Sequence, residues 1–174
     1  MTYFQQLVSR PHRRAATIMG CIVSMVTLLA GPAALSQDQS AATAKDAIFA
    51  RKILMSTIGT HMDDITSMTT TGKIDLDDAQ DDADTISVML MAFPHLFPAA
   101  TNQWKPGAVR DPGTDTYASP DVWTRYAEFY KQAADASKLA LNASRADTVA
   151  EFKTLAAQLQ ATCNACHAAF QKKD

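Results

Sequence analysis

Between about Asp46 and Met68, the side chains placed to share one inner face recur at steps of 3, 4, 3, 4 and 3: Ile48, Arg51, Met55, Ile58, Met62 and Ile65. That spacing is the narrow seam of a helix in a left-handed bundle. Thr69-Thr70-Thr71-Gly72-Lys73 closes the helix, with Gly72 able to take the left-handed cap conformation. A second helix is predicted over Leu76 to Phe93, capped by Asp75, with Asp77 and Asp78 at its positive start. Its buried side is Ala79, Ala83, Ile86, Leu90 and Phe93. The connection that follows reaches Ser119 and carries Pro94, Pro98, Pro106, Pro112, Gly107 and Gly113. A link of that length is usually functional or packed by its own side chains, and Trp104 and Tyr117 are the residues expected to pack it. Ser119-Pro120-Asp121 opens a third helix running to about Leu141, with Val122, Tyr126, Phe129, Ala133, Ala136 and Ala140 inward. Ser144 is expected to cap a fourth, with Asp147 three residues on and Phe152, Ala156, Leu159, Cys163, Cys166 and Phe170 as its inner stripe. Short, long and short connections between four helices predict an all-α, antiparallel four-helix bundle. No alternating run argues for sheet.

The chain ahead of this pattern reads as a leader. Arg10, Arg13 and Arg14 precede an almost wholly apolar run from Ala15 to Ala30, then Gly31-Pro32 and the small residues around Ala34-Leu35-Ser36. This is the layout of a secretory signal over residues 1–36, leaving 37–174 as the mature domain. Gln37 to Ala44, polar and small, is expected as a loose lead-in. The apolar run is short for a spanning helix, so the mature chain is expected to be exported to the periplasm without stable membrane insertion, with an uncleaved membrane anchor as the alternative. A lipid anchor on Cys21 is disfavoured because most of the apolar run follows it, and the residues after Arg13-Arg14 do not suit twin-arginine export.

Charge changes the picture further. Without residues 1–36, Lys plus Arg falls from 16 to 13 against 18 acids, taking the net charge from −2 to −5. Such a surface disfavours nucleic acid and anionic membrane. It is compatible with docking onto a basic patch of a partner. The acidic run from Asp77 to Asp84 lacks the glycine and terminal glutamate of a calcium loop and reads as a solvated face.

The candidate chemistry lies at Cys163-Asn164-Ala165-Cys166-His167. Two cysteines three apart on a helix share one face, and a histidine directly after them completes the attachment signature of a c-type haem. The thiols add to the two porphyrin vinyl groups as thioethers, and the imidazole of His167 serves as the proximal iron ligand. A thioredoxin-like pair would need a βαβ setting, and a zinc site two further soft ligands; neither is visible. The mature chain keeps no other cysteine, so no structural disulfide is expected.

With that motif on the last of four helices, the chain resembles the cytochrome c′ family, the class II c-type cytochromes, over roughly residues 44–174. The stretch Ala50-Arg51-Lys52-Ile53-Leu54-Met55 through Gly59-Thr60-His61-Met62 is similar to the family's distal helix. Tyr117-Ala118-Ser119-Pro120-Asp121-Val122-Trp123 is similar to its third-helix start, where Pro-x-Ile/Val-Trp is usual. The resemblance implies one covalent haem c near the C-terminus, with Met55 at the position facing the iron and Arg51 suited to a haem propionate. Leu54-Met55 with Met62 seven residues on, and Leu96-Phe97-Pro98, look like the low-spin branch in which a first-helix methionine is the sixth ligand. Gln171 stands where the family often has Arg or Lys. Relatives often form dimers through their first two helices, so a homodimer is among the expectations.

The residues otherwise carry blander readings. A methionine on a buried helical stripe is usually packing, and Met62 is the reserve ligand on the same stripe. His61 falls off the stripe toward the surface, and His95 sits among prolines in the connection. Trp123 and Phe170 are expected to pack around the haem or the core. The expectation is a monohaem single-electron carrier, not an enzyme, working with redox partner proteins. The alternative is a five-coordinate haem that binds NO or CO. Peroxidase activity lacks a distal acid–base pair, and a haem-free binding module is the remaining alternative.

Overall fold

The structure, a computed structural model, describes residues 33–107, 109 and 116–172, with the backbone alone given for 33–42. The leader reading, residues 1–36, lies outside the described residues but for 33–36, whose backbone is helical. Among the described residues there are five α-helices: α1 Ala33–Thr71, α2 Leu76–Ala92, α3 Asp121–Thr124, α4 Tyr126–Ala143 and α5 Val149–Phe170. No named strand occurs among the described residues.

Helix α1 is longer than its seam. Residues 37–44, expected as a lead-in, continue the helix, since alanine and glutamine sustain it and no proline or glycine interrupts. It stops at Gly72, whose φ of 72° is the left-handed cap the sequence implied. Ile48, Arg51, Ile58, Met62 and Ile65 are buried along the seam, whereas Met55 is only partly so. In α2 the Asp75 carboxylate accepts from the backbone N–H groups of Asp77 and Asp78 at 3.2 and 3.4 Å. Ala79, Ala83, Ile86 and Leu90 are buried as expected.

The helix ends at Ala92, because Pro94 follows, and the chain passes into a 3-10 turn over Phe93–Leu96 and another over Ala99–Thr101. This connection is not packed by Trp104 and Tyr117, which are both well exposed. Its anchors are instead Phe93, Phe97 and Thr101, all buried. The indole N–H of Trp123 donates to the carbonyls of Phe97 and Pro98 at 3.1 and 3.3 Å.

The expected third helix is two pieces. Ser119 Oγ accepts from the Asp121 N–H at 3.2 Å, as a cap should. One turn later Arg125 leaves helical geometry, with φ −121° and ψ 37°, and its carbonyl then receives the N–H groups of Glu128 and Phe129 to start α4. Its guanidinium bonds Glu128 at 3.0 and 2.6 Å and lies 5.2 Å from the Phe170 ring, which holds the break in place. Ser144 does not cap the last helix. It closes α4, where its N–H bonds the Ala140 carbonyl at 2.9 Å. The cap is Thr148, whose Oγ1 accepts from the Glu151 N–H at 3.2 Å while Glu151 returns to the Asp147 N–H at 3.0 Å. Thr148-x-x-Glu151 is the capping-box pattern, which outcompetes Ser144.

Helix α1 packs on α2, α2 on α4 and α4 on α5, so the four long helices form the expected antiparallel bundle. One core cluster joins Ile58, Ile65, Ile86, Phe152 and Leu159, and a second, largely aromatic one joins Phe93, Phe97, Val122, Phe129 and Phe170. The ring of helices does not close: α1 and α5 scarcely touch. The end of α5 is fixed elsewhere, by an antiparallel bridge between Ala118 and Gln171 and by bonds from Ser119 N–H to the Phe170 carbonyl and from Lys172 N–H to the Tyr117 carbonyl, each 2.8 Å.

Candidate functional site

The gap between α1 and α5 is a cavity of about 490 Å³, walled also by α4. That is the size of a bound cofactor rather than a packing defect. Helical spacing puts Cys163, Cys166 and His167 together on its α5 wall, each half-buried because the cavity lies in front of them. Across from them, α1 contributes Met55 and Met62. Ala133 and Ala136 leave the α4 wall shallow, and Phe97, Val122 and Phe129 close one end with apolar surface. Met55 alone on the α1 stripe touches both core clusters, which places it where they meet at the cavity.

The electrostatics of the thiols bear on what they do. Burial pushes the Cys163 thiol up, and burial with the neighbouring Cys163 pushes that of Cys166 up to about 11. Neither is a thiolate at neutral pH, so the pair is not an activated redox dithiol. Among the described residues, neither cysteine belongs to a cluster of three metal-ligating side chains. His61 lies away from the cavity, with Nδ1 2.7 Å from the Asp82 carboxylate, tying α1 to α2. Asp77, Asp78, Asp81 and Asp84 are exposed, as a solvated face would be. His95 is exposed against Tyr130.

Arg51 is 2 % exposed and, among the described residues, faces no carboxylate. Its guanidinium donates to Thr101 Oγ1 at 2.9 Å, the Thr101 carbonyl at 3.2 Å, Thr116 Oγ1 at 2.9 Å and the Leu96 carbonyl at 3.4 Å. It also stacks over Phe97, 4.6 Å from the ring centre. Burial pulls its pKa down to about 10, a penalty on the charged form of about 3 kcal/mol. The penalty holds through the neutral range and lifts only as pH rises through about 10 toward the unfolded value. Among the described residues, two buried polar atoms lack a hydrogen bond, Arg51 Nε and Gln132 Oε1, and both residues line this cavity. An apolar slot with two thiols and an imidazole on one wall, and an uncompensated cation at its margin, fits a flat apolar ring that carries carboxylates. The sequence left Gln132 unremarked, although its place three residues after Phe129 and four before Ala136 puts it on the inner face of α4.

This bundle and this wall define a c-type cytochrome of the helical-bundle kind. Residues 46–171 match the family model described as Cytochrome C′, and the chain belongs to that family. Its cofactor is haem c, one per chain and covalent through cysteines. Similar solved structures include cytochrome c′ from Thermochromatium tepidum, 18 % identical with a TM-score of 0.65, over 75 % of this chain and 97 % of that one. A mutant of Rhodopseudomonas palustris cytochrome c′ is 25 % identical with a TM-score of 0.64, over 74 % and 98 %. Cytochrome c556 of R. palustris is 22 % identical with a TM-score of 0.61, over 74 % and 98 %. No curated protein sequence matches. The family makes the chain a monohaem cytochrome of the electron-transfer kind.

Proposed function

We propose that the chain is an exported single-electron carrier whose haem is linked through Cys163 and Cys166, with His167 and Met55 as the two axial ligands. The observation that carries this reading is Met55: the one partly open position on a buried stripe, lining the cavity opposite the Cys163–His167 wall. The bound group supplies a one-electron couple at iron. The chain's own part would be to hold the ring between α1 and α5, offer His167 and Met55 to the iron so that little moves on electron transfer, and exclude water with the Phe97, Val122 and Phe129 wall. Arg51 would pair a propionate, which relieves a cation otherwise buried among neutral partners. Action in the periplasm between redox partner proteins rests on the leader-like pattern of residues 1–36; no described helix is long and apolar enough to cross a membrane.

An absorption spectrum of oxidised and reduced holoprotein tests the ligand set: low-spin bands in both states are expected, and high-spin bands would remove Met55 from it. Arg51→Leu is expected to lower the midpoint potential by tens of millivolts, because a charge contributing ~1 kcal/mol through a partly screened path no longer opposes the ferric state. Spectroelectrochemistry of the two proteins measures the shift.

The homodimer reading is supported by Phe49 and Ile53 of α1 and Val88 and Met91 of α2, all at least half exposed. Large apolar side chains in such number on one helix pair mark an interaction face. Ile53→Glu with Met91→Glu is expected to give a monomer where the parent sediments as a dimer, with the haem spectrum unchanged.

A further inference from the structure

We infer that Gln132 is a positioning residue for His167, its amide oxygen accepting the proton on the ring nitrogen that does not face the iron. This rests on the reading of His167 as axial ligand. The α4 surface facing the cavity is Phe129, Gln132, Ala133 and Ala136, so Gln132 is the one polar side chain on that face. Its oxygen is buried without a hydrogen bond. An unmatched buried amide oxygen costs ~1–3 kcal/mol, which an apolar residue at the same place would not incur. The position therefore asks for a donor that cofactor binding turns toward it.

Register says which donor. Helices α4 and α5 run antiparallel, and the Phe129 and Phe170 rings meet at 5.3 Å. Gln132 is three residues after Phe129 and His167 three before Phe170, so both are displaced ~4.5 Å along the bundle in the same direction. They stand at one level on adjacent helices, and both line the cavity. Thioether sulfurs carry no proton, and propionates offer acceptors to an acceptor. The backbone N–H groups of helix interiors are already used. An imidazole bound to iron through one nitrogen keeps a proton on the other, and ligating histidines as a rule donate that proton to a protein acceptor. A neutral amide oxygen fixes the ring plane and adds electron density to the imidazole without bringing a second charge into the site.

The holoprotein tests this. Gln132→Leu removes the acceptor and keeps the bulk; Gln132→Glu strengthens it. The midpoint potential is expected to rise in the first and fall in the second. In a Met55→Ala background, which opens the sixth position, the iron–histidine stretching band of the reduced protein is expected at lower frequency with Gln132→Leu and higher with Gln132→Glu. Both proteins retaining the parent potential and band, with haem bound, would overturn the inference and leave Gln132 a structural residue. Failure of the underlying reading looks different: if His167 is not the axial ligand, no iron–histidine band appears in any variant, and His167→Gly keeps the parent spectrum.

Discussion

Met55→Ala is expected to convert a low-spin spectrum to a high-spin one and to let the reduced protein take up carbon monoxide that the parent resists. In the proposed reading Met55 is the α1 side chain that meets the iron, since it lines the cavity at the point where the two core clusters join. Met62, the reserve candidate, lies seven residues further along, ~10 Å in helical rise, and is packed into the core with Ile58, Ile65 and Phe152. It cannot slide into the vacated place, so Met62→Ala should leave the spectrum unchanged and lose stability instead. Removing the thioether should also lower the midpoint potential: axial ligands set haem potentials over ~0.8 V, and a fall on the order of 0.1 V is expected here. Alanine at position 55 adds to a cavity that already exists, which keeps the bundle intact and the test clean. A parent protein that binds carbon monoxide readily, or shows high-spin iron before any substitution, would make Met55 a lid over a five-coordinate, gas-binding haem.

Much of this was legible because helical packing writes itself into spacing. The 3-4 seam of α1 placed Ile48, Ile58, Met62 and Ile65 in the core, and the same spacing put Cys163 and Cys166 on the inner face of α5. Arg51 stood out as a cation on an apolar stripe, and it is indeed buried. What spacing could not show was competition between nearby signals. Ser144 and Thr148 are both good caps, and the choice fell to Thr148 because Glu151 answers it, while Ser144 is used to finish α4. The break at Arg125 has no glycine or proline to announce it; it follows from a side chain held by Glu128 and the Phe170 ring. Nor could the pattern tell which aromatics hold the long connection. Phe93 and Phe97 do so because they meet each other and, for Phe97, Phe129 edge-on at 5.1 and 4.8 Å, with Phe93 tilted against Phe129 at 6.1 Å. Gln132 escaped notice since glutamine is unremarkable in any helix; its meaning depends on a cavity that appears only when α1 and α5 are seen to stand apart.

That separation underlies the second large effect. Replacing both Cys163 and Cys166 by alanine is expected to remove covalent haem and, with it, the tertiary packing of the bundle. The gap of about 490 Å³ between α1 and α5 would then lack the apolar packing the group supplies, a loss of several kcal/mol, a large share of the stability of an ordinary domain. Entry of water and partial collapse of α1 toward α5 reduce the figure, but Arg51 then stays buried without a counter-charge. The helices α2, α4 and the first half of α5 share the Ile86, Ala140 and Phe152 core and should persist. The expected state therefore keeps its far-ultraviolet helix signal while near-ultraviolet features weaken. The thermal midpoint should fall by ~20 °C or more, given ~4 °C per kcal/mol at this size. Intact mass of the denatured double variant should lack the prosthetic group, whereas each single variant retains it through one thioether. His167 remains in the double variant, so added haem can still bind reversibly and restore part of the lost stability. A double variant that stays coloured after acid extraction would show that the group is not held through these sulfurs. One that melts with the parent would show that the gap between α1 and α5 closes without it.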